Sequence, residues 1–137
     1  MSFDPTRDYP LGTRRPDLVS TPGGLPLEDV TLAALRAGGI GAGEIRATPG
    51  TLRMQAQVAL AARRPQLAES LERAAELASF PDDLLLAAYT ALRPARATAA
   101  ELEEWAVRLE RHGATRTAAF VREAAAVYAE RGLLADG

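Results

Sequence analysis

The second half of the chain is divided into helix-length segments by residues that begin and end helices. Thr98-Ala99-Ala100-Glu101 has the pattern of a capping box, in which a hydroxyl and an acid three residues later each bind the other residue's backbone amide. The apolar residues that follow recur at helical spacing: Leu102, Trp105, Ala106 and Leu109. Gly113 is a natural stop. This segment therefore predicts an amphipathic helix, and no strand pattern competes with it.

Similar signals predict five more helices. They run from about Leu27 to Ala37, from Thr48-Pro49 to Pro65, from Pro65 to Leu77, from the Ser79–Asp83 start signal to Leu92, and from Thr115 to Arg131. Gly38-Gly39 and Gly132 end the first and last of these. The residues predicted to face inward are Leu52, Ala56, Ala59, Leu60, Leu67, Leu71, Ala74, Ala75, Ala78, Phe120, Val121, Ala124, Val127 and Tyr128.

The core of such a protein has to be built from small side chains. Of its 137 residues, 47% are hydrophobic but only 5% are aromatic, and alanine is abundant. Small side chains allow helices to approach closely, and alanine favours helix over strand. The predicted fold class is therefore all-α, a small helical bundle.

The first 26 residues differ from the rest of the chain. Five prolines and three glycines interrupt any regular element between residues 1 and 26. Apolar residues such as Tyr9, Leu11 and Leu18 are interspersed among them, which favours an extended arm that docks on another surface over a disordered tail. We therefore predict two parts: a partner-docking arm at 1–26 and a helical domain at 27–137.

Composition excludes several classes of function. The net charge of −2 removes the basic face that non-specific nucleic-acid binding requires. The absence of cysteine excludes disulfides, thiolate nucleophiles and cysteine-bound zinc. No apolar run approaches the ~20 residues of a membrane span, and the N-terminus lacks the apolar region of a signal peptide. We expect no nucleic-acid or membrane partner.

The residues that could carry chemistry have simpler structural interpretations. His112 lies in the last turn before Gly113, where a histidine typically interacts with the helix C-terminus. Asp82 and Asp83 could form a carboxylate pair, but their position after Pro81 favours two acids at a helix N-terminus. The serines have no companion base at a recognisable spacing. We therefore assign no catalytic, cofactor-binding or metal residue to this chain.

Several segments, in the right order, resemble the small subunit of adenosylcobalamin-dependent diol and glycerol dehydratases. The resembling segments are DYPL (8–11), RRPDLV (14–19), TLRMQA (51–56), ERAAEL (72–77), PDDLLL (81–86), ALRP with its neighbours (89–98), ELEEWAVRLE (101–110) and AAFVREAAAVYAER (118–131). Each fragment alone is weakly specific, whereas the collinear set, which includes the non-helical arm, is specific.

The resemblance implies a non-catalytic subunit of a larger enzyme. The family's holoenzyme is a dimer of heterotrimers, in which large and medium subunits hold adenosylcobalamin and convert 1,2-diols such as propane-1,2-diol, or glycerol, to an aldehyde and water by a radical mechanism. The expected partners are therefore the large and medium subunits, and the expected role is to stabilise or complete the large-subunit assembly. The expected location is the cytoplasm, or a bacterial microcompartment reached through the partner subunits.

The arm and the charged flank of the last helix supply the predicted contacts with those partners. The candidate interface residues are Asp8, Tyr9, Pro10, Leu11, Leu18, Arg93, Arg122, Glu123 and Arg131. Tyr9 and Leu11 are the expected anchors, because aromatic and aliphatic side chains carry much of the energy of interfaces. The alternative hypothesis is a free-standing helical adaptor with no link to dehydratase activity.

Overall fold

The computed structural model describes residues 2–137, which form seven α-helices. The helices are α1 (Leu11–Arg14), α2 (Leu32–Arg36), α3 (Pro49–Ala61), α4 (Pro65–Leu77), α5 (Asp82–Ala91), α6 (Ala99–Arg111) and α7 (Thr115–Arg131). Three 3-10 turns occur at Pro16–Leu18, Leu27–Asp29 and Ala42–Ile45. Within residues 2–137 the one β pairing is an isolated bridge between Ser20 and Pro26, so the all-α prediction is confirmed. None of the described helices is long and apolar enough to cross a membrane.

The chain divides into two compact units between Ala78 and Ser79. The first unit includes the residues of the predicted arm together with α1 to α4. Backbone hydrogen bonding continues across the predicted boundary at residues 26 and 27, since Leu27 N donates to Val19 O. The hydroxyl of Thr21 also donates to the carboxylate of Glu44, which joins the arm to the turn before α3. Residues 2–26 are therefore folded together with the residues that follow them.

The predicted helix from Leu27 to Ala37 is wrong as a single element. A 3-10 turn at Leu27–Asp29 is followed by Thr31 in an extended conformation, and Thr31 Oγ1 accepts from Ala34 N at 3.1 Å to start α2. Threonine is a stronger N-cap than interior helix residue, because its hydroxyl competes for backbone amides. That preference divides the predicted helix in two.

An antiparallel pair of helices, α3 and α4, provides the core of the first unit. Thr48 caps α3 by accepting from Thr51 N, with Pro49 at the first helical position, as predicted. Ala56, Ala59 and Ala68 form a buried cluster with Leu71 packed against it. Leu60 and Leu67, which were predicted to face inward, are exposed instead. Because the contact is made by alanines, fewer apolar residues are buried between the two helices than the sequence pattern predicts.

The second unit is built on α6 and α7. Both hydrogen bonds of the predicted capping box are present, from Glu101 N to Thr98 Oγ1 and from Thr98 N to Glu101 Oε2. Leu102, Leu109 and Val121 are its largest fully buried side chains. Phe120, which was predicted to belong to the inward stripe of α7, is exposed. Gly132 ends α7 at a φ of 67°, the left-handed conformation that glycine adopts without strain.

Candidate partner interface

Arg15, which is not among the predicted interface residues, joins two aspartates of the arm. Arg15 Nη1 binds Asp8 Oδ2 at 3.1 Å, and its Nε and Nη2 bind both oxygens of Asp17. The Asp8 carboxylate also accepts from Asp4 N at 2.8 Å. The hydrogen bond to Asp17 is the main cause that raises the pKa of Arg15, and Arg15 in turn lowers the pKa of Asp17. Asp8 therefore helps to hold the arm together, and its contact with a partner stays a prediction.

The residues that follow Asp8 differ in how exposed their side chains are. Tyr9 is 53% exposed and precedes Pro10, also exposed, across a cis peptide bond. Leu11, which was predicted as a partner anchor, is 3% exposed, so its side chain packs within this chain. Leu18 is half-buried. The accessible part of the arm is thus centred on Tyr9 and Pro10.

Arg122 of α7 is held by two carboxylates of α6. Its Nε and Nη2 bind the carboxylate of Glu103 at 2.8–3.1 Å, and its Nη1 and Nη2 bind that of Glu110. These hydrogen bonds lower the pKa of both Glu103 and Glu110 and raise the pKa of Arg122. Arg122 was predicted to contact a partner, and the structure shows that its donors are largely used to join α6 to α7. Glu123 and Arg131 are exposed on the same helix.

Arg93 lies beside two large exposed apolar side chains that were not predicted as interface residues. Leu86 and Tyr89 of α5 are 69% and 56% exposed, and their spacing of three residues places them on one face of the helix. Arg93 follows one turn after Tyr89 and is also exposed. The sequence does not reveal this surface, because most residues of α5 are apolar and the pattern does not separate buried positions from exposed ones.

Tyr128 fixes the chain just before Arg93. Its hydroxyl donates to Leu92 O at 2.6 Å, which links α7 to the end of α5. The loop that follows is paired with the C-terminal segment, because Ala95 N donates to Leu133 O and Ala135 N donates to Ala97 O. These hydrogen bonds hold in place the end of α5, next to the exposed face formed by Leu86, Tyr89 and Arg93.

The residues considered for catalysis occupy structural positions. His112 is the C-cap of α6; its Nδ1 donates to Arg108 O at 3.0 Å, and its ring makes an edge-to-face contact with Phe80, with the ring centroids 4.9 Å apart. Asp82 and Asp83 form the first turn of α5, where acids favour the positive helix end. Within the described part of the chain, no group of three or more His, Cys, Asp or Glu side chains is arranged to hold a metal ion.

Comparison with known proteins places these features in a family. Residues 5–135 match the family described as the dehydratase small subunit. The chain belongs to the dehydratase small-subunit family. The match includes residues 5–26 of the arm and all of α1 to α7, in agreement with the resemblance drawn from the collinear segments.

Two relatives of this small subunit carry more specific names. The propanediol dehydratase small subunit of Citrobacter freundii is 49% identical over 125 residues, which cover 90% of this chain and 73% of that protein. The propanediol dehydratase small subunit of Salmonella typhimurium is 48% identical over 125 residues, 90% of this chain and 72% of that protein. A small subunit functions within an assembly, so the exposed residues of the arm, α5 and α7 are candidates for contact with other subunits.

Proposed function

We propose that this chain is the non-catalytic small subunit of a coenzyme B12-dependent diol dehydratase. The enzyme would convert a 1,2-diol, either propane-1,2-diol or glycerol, to the corresponding aldehyde and water by a radical mechanism. The observation that carries the proposal is the near-complete match to a small-subunit family, with two relatives close to 50% identical named for propanediol dehydratase. The proposed assembly is a dimer of heterotrimers with large and medium subunits.

Adenosylcobalamin does not fit the described residues of this chain. His112, the only histidine in the sequence, has one ring nitrogen on a backbone carbonyl and its ring packed on Phe80. Pockets beside Trp105 and beside Pro16 have volumes of about 220 and 360 Å³, near the lower end of the ~300–1,000 Å³ of pockets that take drug-sized ligands, and adenosylcobalamin is much larger than such ligands. We therefore assign the cofactor to the partner subunits and give this chain the task of stabilising the large-subunit assembly.

Co-expression of the large and medium subunits, with and without this chain, tests the proposal. Aldehyde formation from propane-1,2-diol is measured with added adenosylcobalamin, and the molar mass of the assembly is measured by light scattering. We expect activity and the full assembly only when all three subunits are present. Full activity from two subunits would refute the proposed role and favour the adaptor hypothesis.

Two variants of the arm separate docking from folding. Tyr9→Ala removes an exposed ring and should weaken co-purification with the large subunit without lowering the thermal stability of this chain. Leu11→Ala removes a buried side chain and should lower thermal stability. Unchanged co-purification of the Tyr9→Ala variant would remove the arm from the interface.

A further inference from the structure

Residues 19–27 of the arm fold back on themselves as a small hairpin. Thr21 N donates to Leu25 O at 2.9 Å across the hairpin, and Gly24 N donates to Thr21 O at 2.9 Å. Gly24 has a φ of 88°, the positive value that is typical of the last position in a three-residue hairpin loop. The turn at 21–24 is therefore formed by backbone hydrogen bonds within the arm.

The carboxylate of Glu44 reaches this turn from outside the arm. Glu44 lies in the 3-10 turn at Ala42–Ile45 and is half-buried. The side chain of Thr21 is buried, and its hydroxyl donates to Glu44 Oε2 while it accepts from Leu25 N at 3.0 Å. The hydroxyl thus joins the hairpin to the turn that precedes α3. Without the carboxylate of Glu44, a buried donor would lose its acceptor.

Gly23 makes room for the carboxylate of Glu44. A methyl group on Gly23 would lie 2.9 Å from Glu44 Oε2 and 3.0 Å from the carboxylate carbon, which is closer than such atoms pack. Gly23 does not have a positive φ, so its backbone would accept alanine, and the carboxylate alone opposes the methyl group. The end of the glutamate side chain can move away, but this movement breaks its hydrogen bond with Thr21. The absence of a side chain at Gly23 and the hydrogen bond of Thr21 are therefore coupled.

Different contacts hold the arm and the core of the first unit. Within the arm, α1 contacts the turn at Pro16–Leu18, which in turn contacts the turn at Leu27–Asp29. The alanine cluster between α3 and α4 contains no residue of the arm. Segments that lie outside the main buried core open locally at a lower free energy than the core itself. The arm can therefore open separately, if the contact at Glu44 is released.

We propose that Thr21, Gly23 and Glu44 form a clasp, which holds the arm on its own chain and opens while α3 and α4 stay folded. When the clasp opens, the hydroxyl and the carboxylate separate, and the hairpin leaves the turn at Ala42–Ile45. The arm, which carries the exposed ring of Tyr9, then changes its position relative to α3. The clasp consists of residues of this chain alone and needs no partner.

Hydrogen exchange of the full chain at pH 7, followed residue by residue with NMR, tests the clasp. The hairpin is followed through the amides of Thr21, Gly24 and Leu25, and α3 through those of residues 56–60. Glu44→Ala should speed the exchange of the hairpin amides at least about tenfold, because a hydrogen bond to a charged group is lost, and should leave α3 unchanged. Glu44→Gln keeps an oxygen that can accept from the hydroxyl, so its effect should be smaller.

Gly23→Ala, alone and combined with Glu44→Ala, tests the coupling within the clasp. While Glu44 is present, Gly23→Ala should speed the exchange of the hairpin amides about as much as Glu44→Ala does. Once residue 44 is alanine, Gly23→Ala should have almost no further effect. Gly43→Ala is the matched control, because Gly43 lies beside Glu44, has no positive φ and would bring its methyl group within 4 Å of no other residue. It should leave the hairpin amides unchanged.

Three results would overturn the clasp. Unchanged exchange of the hairpin amides in Glu44→Ala would mean that the carboxylate does not hold the hairpin. Equal acceleration in α3 would mean that the arm opens only together with the core. Additive effects of Gly23→Ala and Glu44→Ala would refute their coupling. If Glu44→Ala fails to fold, the wild type decides alone: its hairpin amides should exchange faster than those of α3, and equal rates would refute independent opening.

Discussion

Two leucines of the second unit, Leu102 and Leu86, should respond very differently to the same substitution. Leu102 lies in the contact between α6 and α7 and is 1% exposed, whereas Leu86 on α5 is 69% exposed. Leucine to alanine removes three carbons, worth about 2.4 kcal/mol of transfer free energy when the side chain is fully buried. The residual cavity brings the expected loss for Leu102→Ala to about 3–4 kcal/mol of unfolding free energy. For Leu86→Ala, the buried third of the side chain gives about 0.7 kcal/mol.

Urea unfolding of the full chain, followed by circular dichroism at 222 nm, measures both losses. The slope of the free energy against urea should stay the same in both variants, so that the change appears in the midpoint. Similar losses for the two variants, or a loss below about 1 kcal/mol for Leu102→Ala, would refute the packing described for α6 and α7. The Leu86→Ala variant also tests the exposed face of α5, since it should weaken retention by the large subunit while leaving the fold stable.

Three further predictions concern the ends and the surface of the same helices. Thr98→Ala should lower the unfolding free energy by about 1 kcal/mol, because an amide at the start of α6 loses its acceptor; an unchanged urea midpoint would contradict the capping box. Gly132→Ala should cost about 1 kcal/mol, because alanine is strained in the left-handed conformation; Gly137→Ala, at the chain end, is its control. Arg122→Gln should lower stability at pH 7, where Glu103 and Glu110 are ionised. Because both carboxyl groups have a lowered pKa in the folded chain, that stabilisation is complete above pH 4.5 and disappears as the pH falls through the lowered values, so the melting temperatures of variant and wild type should converge in acid.

Local signals in the sequence were sufficient to predict most of the helix ends. The capping hydroxyls of Thr48 and Thr98 and the stop at Gly132 act within four residues of their own position, and all three are found as predicted. Thr31 was missed because it lies inside an apolar pattern that continues on both sides. In the structure Thr31 begins a new helix, although the apolar pattern around it predicts one continuous helix.

The surface was harder to predict, because exposure depends on residues that are distant in the sequence. Phe120 and Leu60 fit the apolar stripes of their helices, but small neighbouring side chains narrow the buried part of each stripe. The partners of Arg122 lie 19 and 12 residues away on another helix, so no spacing rule within α7 reveals them. Membership of the small-subunit family, in contrast, was predicted from collinear segments and is confirmed by the match over residues 5–135.

The alanine contact between α3 and α4 limits how this part of the protein can evolve. Ala56, Ala59 and Ala68 are buried against each other, so the distance between the two helix axes is set by methyl groups. A larger side chain at any of the three would push the helices apart, whereas glycine would loosen them and weaken both helices. Functional variants should therefore carry almost only alanine or serine at these positions. The exposed leucines nearby can change wherever they contact no partner.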